Sequence, residues 1–164
     1  MNYYRITKYN PEFRDKEGHY TKNDWTSISD IGQSFADGVL TVEKYKQTED
    51  ACVETIKVIL TEKGISKMTI CGLEKNDVGE EDFFSPEERS FFSRIENNFR
   101  IEIHEIELMI RLALREMVWC SLLTNEGNVR IEFGYDYYMY VRCNKIEERT
   151  KQRILDNGLF VELL

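Results

Sequence analysis

Histidine and proline each occur only twice in the 164 residues, and the motifs that histidine usually serves are absent. His104 lies in Glu102-Ile103-His104-Glu105, which does not match the H-E-x-x-H spacing of a helical zinc site. His19 stands in a polar loop beside Gly18 and Tyr20, with no nucleophile placed near it by any motif. Cysteine pairs at C-x-x-C spacing are missing as well. Cys52, Cys71, Cys120 and Cys143 are far apart and each sits among apolar neighbours. That distribution excludes a disulfide framework or a zinc cluster and reads as reduced core thiols of a cytoplasmic protein. There is no phosphate loop, dinucleotide fingerprint or EF-hand spacing. We therefore assign no catalytic residue, no metal ligand and no cofactor.

Basic residues are also in deficit. Thirty acids against 22 bases leave a net charge of −8. This disfavours nucleic acid, whose binding needs clustered Lys and Arg, and it disfavours an anionic membrane surface. A basic protein partner is the natural complement. The opening MNYYRITKYN lacks an apolar signal core, so no secretion is expected. With no linker, repeat or low-complexity run, residues 1–164 read as a single domain.

What is present is a strong helical period. Ile103, Ile106, Ile110, Ala113, Met117 and Cys120 follow at steps of three or four, and predict one long central helix over about 101–124. Leu112, Val118 and Trp119 widen its stripe until the second half is apolar nearly all round. Glu107, Arg111 and Arg115 are spaced for intrahelical ion pairs, and Glu116 argues against a membrane span.

Around that helix we expect strands at Tyr3–Tyr9, Trp25–Ser29, Ile65–Leu73, Val129–Gly134, Tyr137–Cys143 and Leu159–Leu164. Further helices are expected at about 42–63, from Ser85-Pro86-Glu87-Glu88 onward, and at 145–157. Residues 74–84, with Glu80, Glu81 and Asp82, read as an acidic loop. The order implies an α+β fold, a single mixed or antiparallel sheet with helices packed mainly on one face.

The hairpin carries the most distinctive composition. Residues 135–140 hold four tyrosines and Asp136. In a strand Tyr137, Met139 and Val141 share one face, while Tyr138, Tyr140 and Arg142 share the other. If the first face is core, Tyr138 and Tyr140 meet a partner, since tyrosine couples a rigid apolar body to a polar tip. Asp136, Tyr138 and Tyr140 are the candidate binding residues, with Trp25 and Asp30 as an outer group; Trp25, flanked by Asp24, equally suits an anchor that fastens the N-terminal loop to the body.

YYRITKYNPEFRDKEGHY…WTSISDIG, REMVWCSL, FGYDYYMYVRCN and GLFVELL together make the chain resemble a family of small, acidic, uncharacterised Firmicutes proteins over nearly its whole length. That family brings no established activity and no residue roles. In size, acidity and lack of motifs it is similar to immunity proteins, which neutralise toxins by binding them. The expected function is a non-enzymatic cytosolic protein-binding module, of immunity type, that blocks a basic toxin domain through an acidic, tyrosine-rich surface. The alternatives are an enzyme with a site near His19 and the 133–142 hairpin, or a homo-oligomeric structural module.

Overall fold

Alternate burial along the strands builds the sheet. In β1 (Asn2–Thr7), Tyr4 and Ile6 are buried while Tyr3 and Arg5 are half-buried. The computed structural model describes residues 1–77 and 85–164, and the acidic run Glu80, Glu81 and Asp82 lies outside them. After β1 come β2 (Ser34–Phe35), β3 (Gly38–Val39), α1 (Val42–Glu62), β4 (Lys67–Lys75), α2 (Pro86–Arg94) and β5 (Arg100–Glu102). The chain continues through α3 (Ile106–Leu114), β6 (Val118–Leu123), β7 (Arg130–Phe133), β8 (Met139–Cys143), α4 (Glu148–Asp156) and β9 (Phe160–Leu163). Seven strands pair antiparallel in the order β5-β4-β6-β7-β8-β1-β9, and β2 and β3 form a separate ribbon. The fold is α+β. Among the described residues no helix is long and apolar enough to cross a membrane.

One face of the sheet carries Tyr4, Ile6, Met68, Ile70, Cys120, Leu122, Ile131, Phe133, Met139 and Val141, all buried. They belong to one apolar cluster with Ile56 and Ile59 of α1, Phe91 of α2, Met109 and Ile110 of α3, and Ile154 of α4. Cys52, Cys120 and Cys143 are buried, Cys71 is half-buried, and all four thiols are free.

The run over 101–124 is not one helix. It divides into β5, a short 3-10 turn, the nine residues of α3 and then β6. Two physical facts decide this. Glu116 takes a left-handed conformation (φ 61°), and Glu116 N–H and Met117 N–H bond back to the carbonyls of Ala113 and Leu112, which closes the helix end. Beyond it Val118, Cys120 and Leu122 are buried alternately, with Trp119 turned outward, which is a strand's period of two. Nearly continuous apolar character supports either period, and pairing of β6 with both β4 and β7 selects the strand. The strand expected at Trp25–Ser29 is likewise absent. Ser27 caps a 3-10 turn at Ile28–Asp30 instead, because its hydroxyl and the Asp30 carboxylate satisfy the local backbone N–H groups.

The helices are tied by one buried carboxylate. Glu49 of α1 has no exposed side-chain surface. Its oxygens accept from Arg115 Nε (2.6 Å) and Nη2 (2.7 Å), from Arg111 Nη1 (2.7 Å) and from the Tyr45 hydroxyl (3.1 Å). Arg115 also reaches Glu88 of α2 at 3.2 Å. Burial pulls the Arg111 and Arg115 guanidiniums down, but hydrogen bonds outweigh it and hold both raised, those to Glu107, Asp50 and Glu49 for Arg111 and that to Glu49 for Arg115. Removing one member of such a set leaves buried charge uncompensated. Glu49→Gln is therefore expected to lower unfolding stability by about 3 kcal/mol in urea titration, whereas an exposed glutamate changed alike moves it by less than about 0.5 kcal/mol.

Candidate functional site

The β7–β8 hairpin turns through Asp136 and Tyr137, both left-handed at φ 57° and 66°. Tight hairpin turns demand that conformation and usually place glycine in it. A tyrosine there costs roughly 1–2 kcal/mol, so something must hold it. Aromatic burial does so. The Tyr137 ring lies 4.9 Å from Trp25 and 5.8 Å from Tyr45, and is 5% exposed. The Tyr9 hydroxyl sits within hydrogen-bond reach of the Asp136 carbonyl (2.9 Å) and the Trp25 carbonyl (3.0 Å), sharing its proton between them. Burial first pushes the Tyr9, Tyr45 and Tyr137 phenols far above their ordinary range, helped by Asp24 at Tyr9, by Glu49 at Tyr45 and by the Tyr45 phenol at Tyr137. These three stay neutral and act as packing.

Past the turn, side chains alternate as the sequence predicts. Met139 and Val141 enter the core, and Tyr138 and Tyr140 lie half-buried on the opposite face. Tyr140 stacks on Tyr3, with ring centres 5.5 Å apart and planes inclined by 18°. Arg142 covers Tyr3 at 4.7 Å, and Arg5 and Arg14 approach the Tyr138 ring at 5.4 and 5.7 Å. The tyrosines thus sit among arginines. Those arginines are already matched within the chain. Glu162 accepts from both Arg5 (2.7 Å) and Arg14 (3.0 Å), and Glu132 lies 2.9 Å from Arg130 and 3.9 Å from Arg142. Burial alone would raise the Glu162 carboxyl, but the hydrogen bonds from Arg5 and Arg14 hold it below its ordinary value.

At the turn end of this face stands a second aromatic pair. Trp119 of β6 and Tyr135 pack with ring centres 5.2 Å apart, yet remain 42% and 77% exposed. They rim a cavity of about 370 Å³ whose floor is Ala113, Leu114, Val118 and Phe133. Glu74, opposite Trp119 on β4, and Glu116 stand at its edge. Three of the four left-handed non-glycine residues among the described ones, Glu116, Asp136 and Tyr137, gather around this end of the sheet. Strained backbone of that kind clusters at functional sites.

The sequence-predicted residues fare differently. Asp136, Tyr138 and Tyr140 come together at the hairpin, with Asp136 exposed in the turn. Trp25 is 8% exposed and lies behind the turn against Tyr137 and Tyr45, so it anchors the turn rather than forming an outer contact. Asp30 spends its carboxylate on the N–H groups of Thr26 (2.9 Å) and Ser27 (3.2 Å). His19 is exposed and 3.3 Å from Asp15, and neither His19 nor Asp136 lines the cavity. Sequence reasoning missed Trp119, Glu74 and Glu116 as site residues, because a long helix would have put Trp119 on a buried stripe. The β-branched Val118 and aromatic Trp119, one residue past the charged Arg115-Glu116 step, are the signal that was there to find. Comparison of the chain with protein-family models, curated proteins and solved structures finds no match.

Gly134 keeps the two aromatic groups in one surface. A Cβ at this position would lie 2.7 Å from Tyr140 Cε2 and 3.3 Å from Tyr138 Cβ. Gly134→Ala is expected to push the Tyr140 ring off Tyr3, lose the Tyr3–Tyr140 ring contacts in nuclear Overhauser spectra, and cost about 1 kcal/mol of stability.

Proposed function

We propose that the chain is a non-enzymatic, cytosolic protein-binding module whose contact surface is the hairpin end of the open sheet face. The observation that carries this reading is the exposed Trp119–Tyr135 pair, continuous through Gly134 with Tyr138 and Tyr140. Trp, Tyr and Arg are the residues on which interface energy concentrates, and this face carries all three. The surface is pre-formed: stacking fixes the rings, and ion pairs within the chain fix the arginines, so little side-chain freedom is lost on binding. The net charge of −8 favours a basic partner and speeds its encounter. Action by blockade, as in an immunity protein covering a basic toxin domain, suits a rigid face of this type.

The test is capture from the source cell with tagged wild type and with the Trp119→Ala, Tyr135→Ala double variant, whose fold is checked by circular dichroism. Both side chains are substantially exposed, so the variant is expected to fold. A stoichiometric basic protein retained by wild type and lost by the variant is the expected result. Equal capture by both, or no stoichiometric partner for either, overturns the proposal.

A further inference from the structure

The surface beside the hairpin holds a cavity whose charge is one-sided. Among its described lining residues are Glu74 and Glu116 and no lysine, arginine or histidine. Elsewhere on the open face carboxylates are matched: Glu162 with Arg5 and Arg14, and Glu132 with Arg130. Among the described residues the carboxylates of Glu74 and Glu116 take part in no ion pair and no hydrogen bond, and the Asn76 side-chain amide, also in the lining, donates to the backbone carbonyl of Glu116 instead. Two further features point the same way. The C-terminal end of α3, at Ala113 and Leu114, forms part of the floor, and that end of a helix dipole is negative. Trp119 and Tyr135 both line the cavity, and the quadrupole of an aromatic ring attracts a cation. The volume of about 370 Å³ falls in the range of roughly 300–1,000 Å³ found for ligand pockets.

We infer that this cavity receives an arginine side chain displayed by the protein partner, its apolar stem on Leu114, Val118 and Phe133 and its guanidinium between the Trp119–Tyr135 pair and the carboxylates of Glu74 and Glu116. This rests on the protein-binding reading above and names the group that the partner contributes. Arginine suits the cavity better than lysine, because a planar guanidinium both stacks on an aromatic face and bonds carboxylates in pairs. Glu116 is placed for this by the helix end itself. Its left-handed conformation turns the chain out of α3, and a carboxylate occupies a position that glycine holds more cheaply.

The probe is Nα-acetyl-arginine amide, titrated into the intact protein and followed by the indole N–H resonance of Trp119, with that of buried Trp25 as internal reference. Nα-acetyl-citrulline amide, of the same shape without charge, is the control. The inference predicts a saturable shift at Trp119 alone, about tenfold weaker binding of the citrulline compound, and a loss of about tenfold in the Glu74→Gln, Glu116→Gln variant. Both substitutions are at exposed positions and keep side-chain shape, so folding is retained. Absence of a saturable shift, equal binding of the citrulline compound, or unchanged affinity in the variant overturns it. The two proposals fail separately. A partner captured through Trp119 and Tyr135 by a protein that ignores the arginine probe removes the cavity assignment alone. Probe binding without any captured partner removes the protein-binding reading and leaves the cavity as a guanidinium site.

Discussion

The fork between Arg115 and Glu49 governs this structure. Two parallel bonds of 2.6 and 2.7 Å join the C-cap of α3 to Glu49 within α1, and the same guanidinium reaches Glu88 in the first turn of α2. Glu49 is wholly buried, so the geometry has no solvated alternative of comparable energy. Arginine is the residue for such a place, since its charge cannot be given up and its planar fork matches a carboxylate. The fork sets where the helix lies, and because Arg115 is the helix C-cap, it also sets where the helix stops.

The candidate site follows from that stop. Chain reversal through left-handed Glu116 sends Val118 into the core and leaves Trp119 on the open face, opposite Glu74. The neighbouring hairpin then reverses through Asp136 and Tyr137, whose unfavourable conformation is offset by packing of Tyr137 against Trp25 and Tyr45. The aromatic core behind the turn and the aromatic rim in front of it have different tasks. The first holds the backbone, and the second stays exposed. A polar long loop, Pro11 to Asp24, completes the support: Arg14 fastens it to Glu162 at the edge of the sheet, and Tyr9 ties the turn to the chain at Trp25.

Much of this is legible in the residues themselves, in places where local chemistry is decisive. Ser85-Pro86-Glu87-Glu88 specifies a helix start without help from the rest of the chain, and the structure has both arms of its capping box. Thr41 and Gly64 bracket α1 for similar reasons, and the alternation Tyr138, Met139, Tyr140, Val141 divides into two faces as a strand must. The failure over 101–124 has an equally local cause. Cys120 serves both a helical step of three from Met117 and a strand step of two from Val118, and in the apolar run 117–123 the single polar residue, Ser121, is too little to separate these periods. The misplaced Trp119 then hid the cavity, since Glu74 and Glu116 are 42 residues apart and only the pairing of β4 with β6 brings them together. Trp25 among its acids suits a contact patch or an anchor for the N-terminal loop alike, and its burial, which is that of an anchor, depends on Tyr45 and Tyr137, which are distant in sequence.

Amide hydrogen exchange on the captured complex tests binding at the hairpin end most directly. Exchange compared between free and partner-bound protein should slow over the peptides that contain Glu116–Trp119 and Phe133–Tyr140, while the exposed side of α1 and α4 exchanges as before. Protection confined to α1 and α4, with the hairpin unchanged, would place the partner on the other side of the molecule and contradict it.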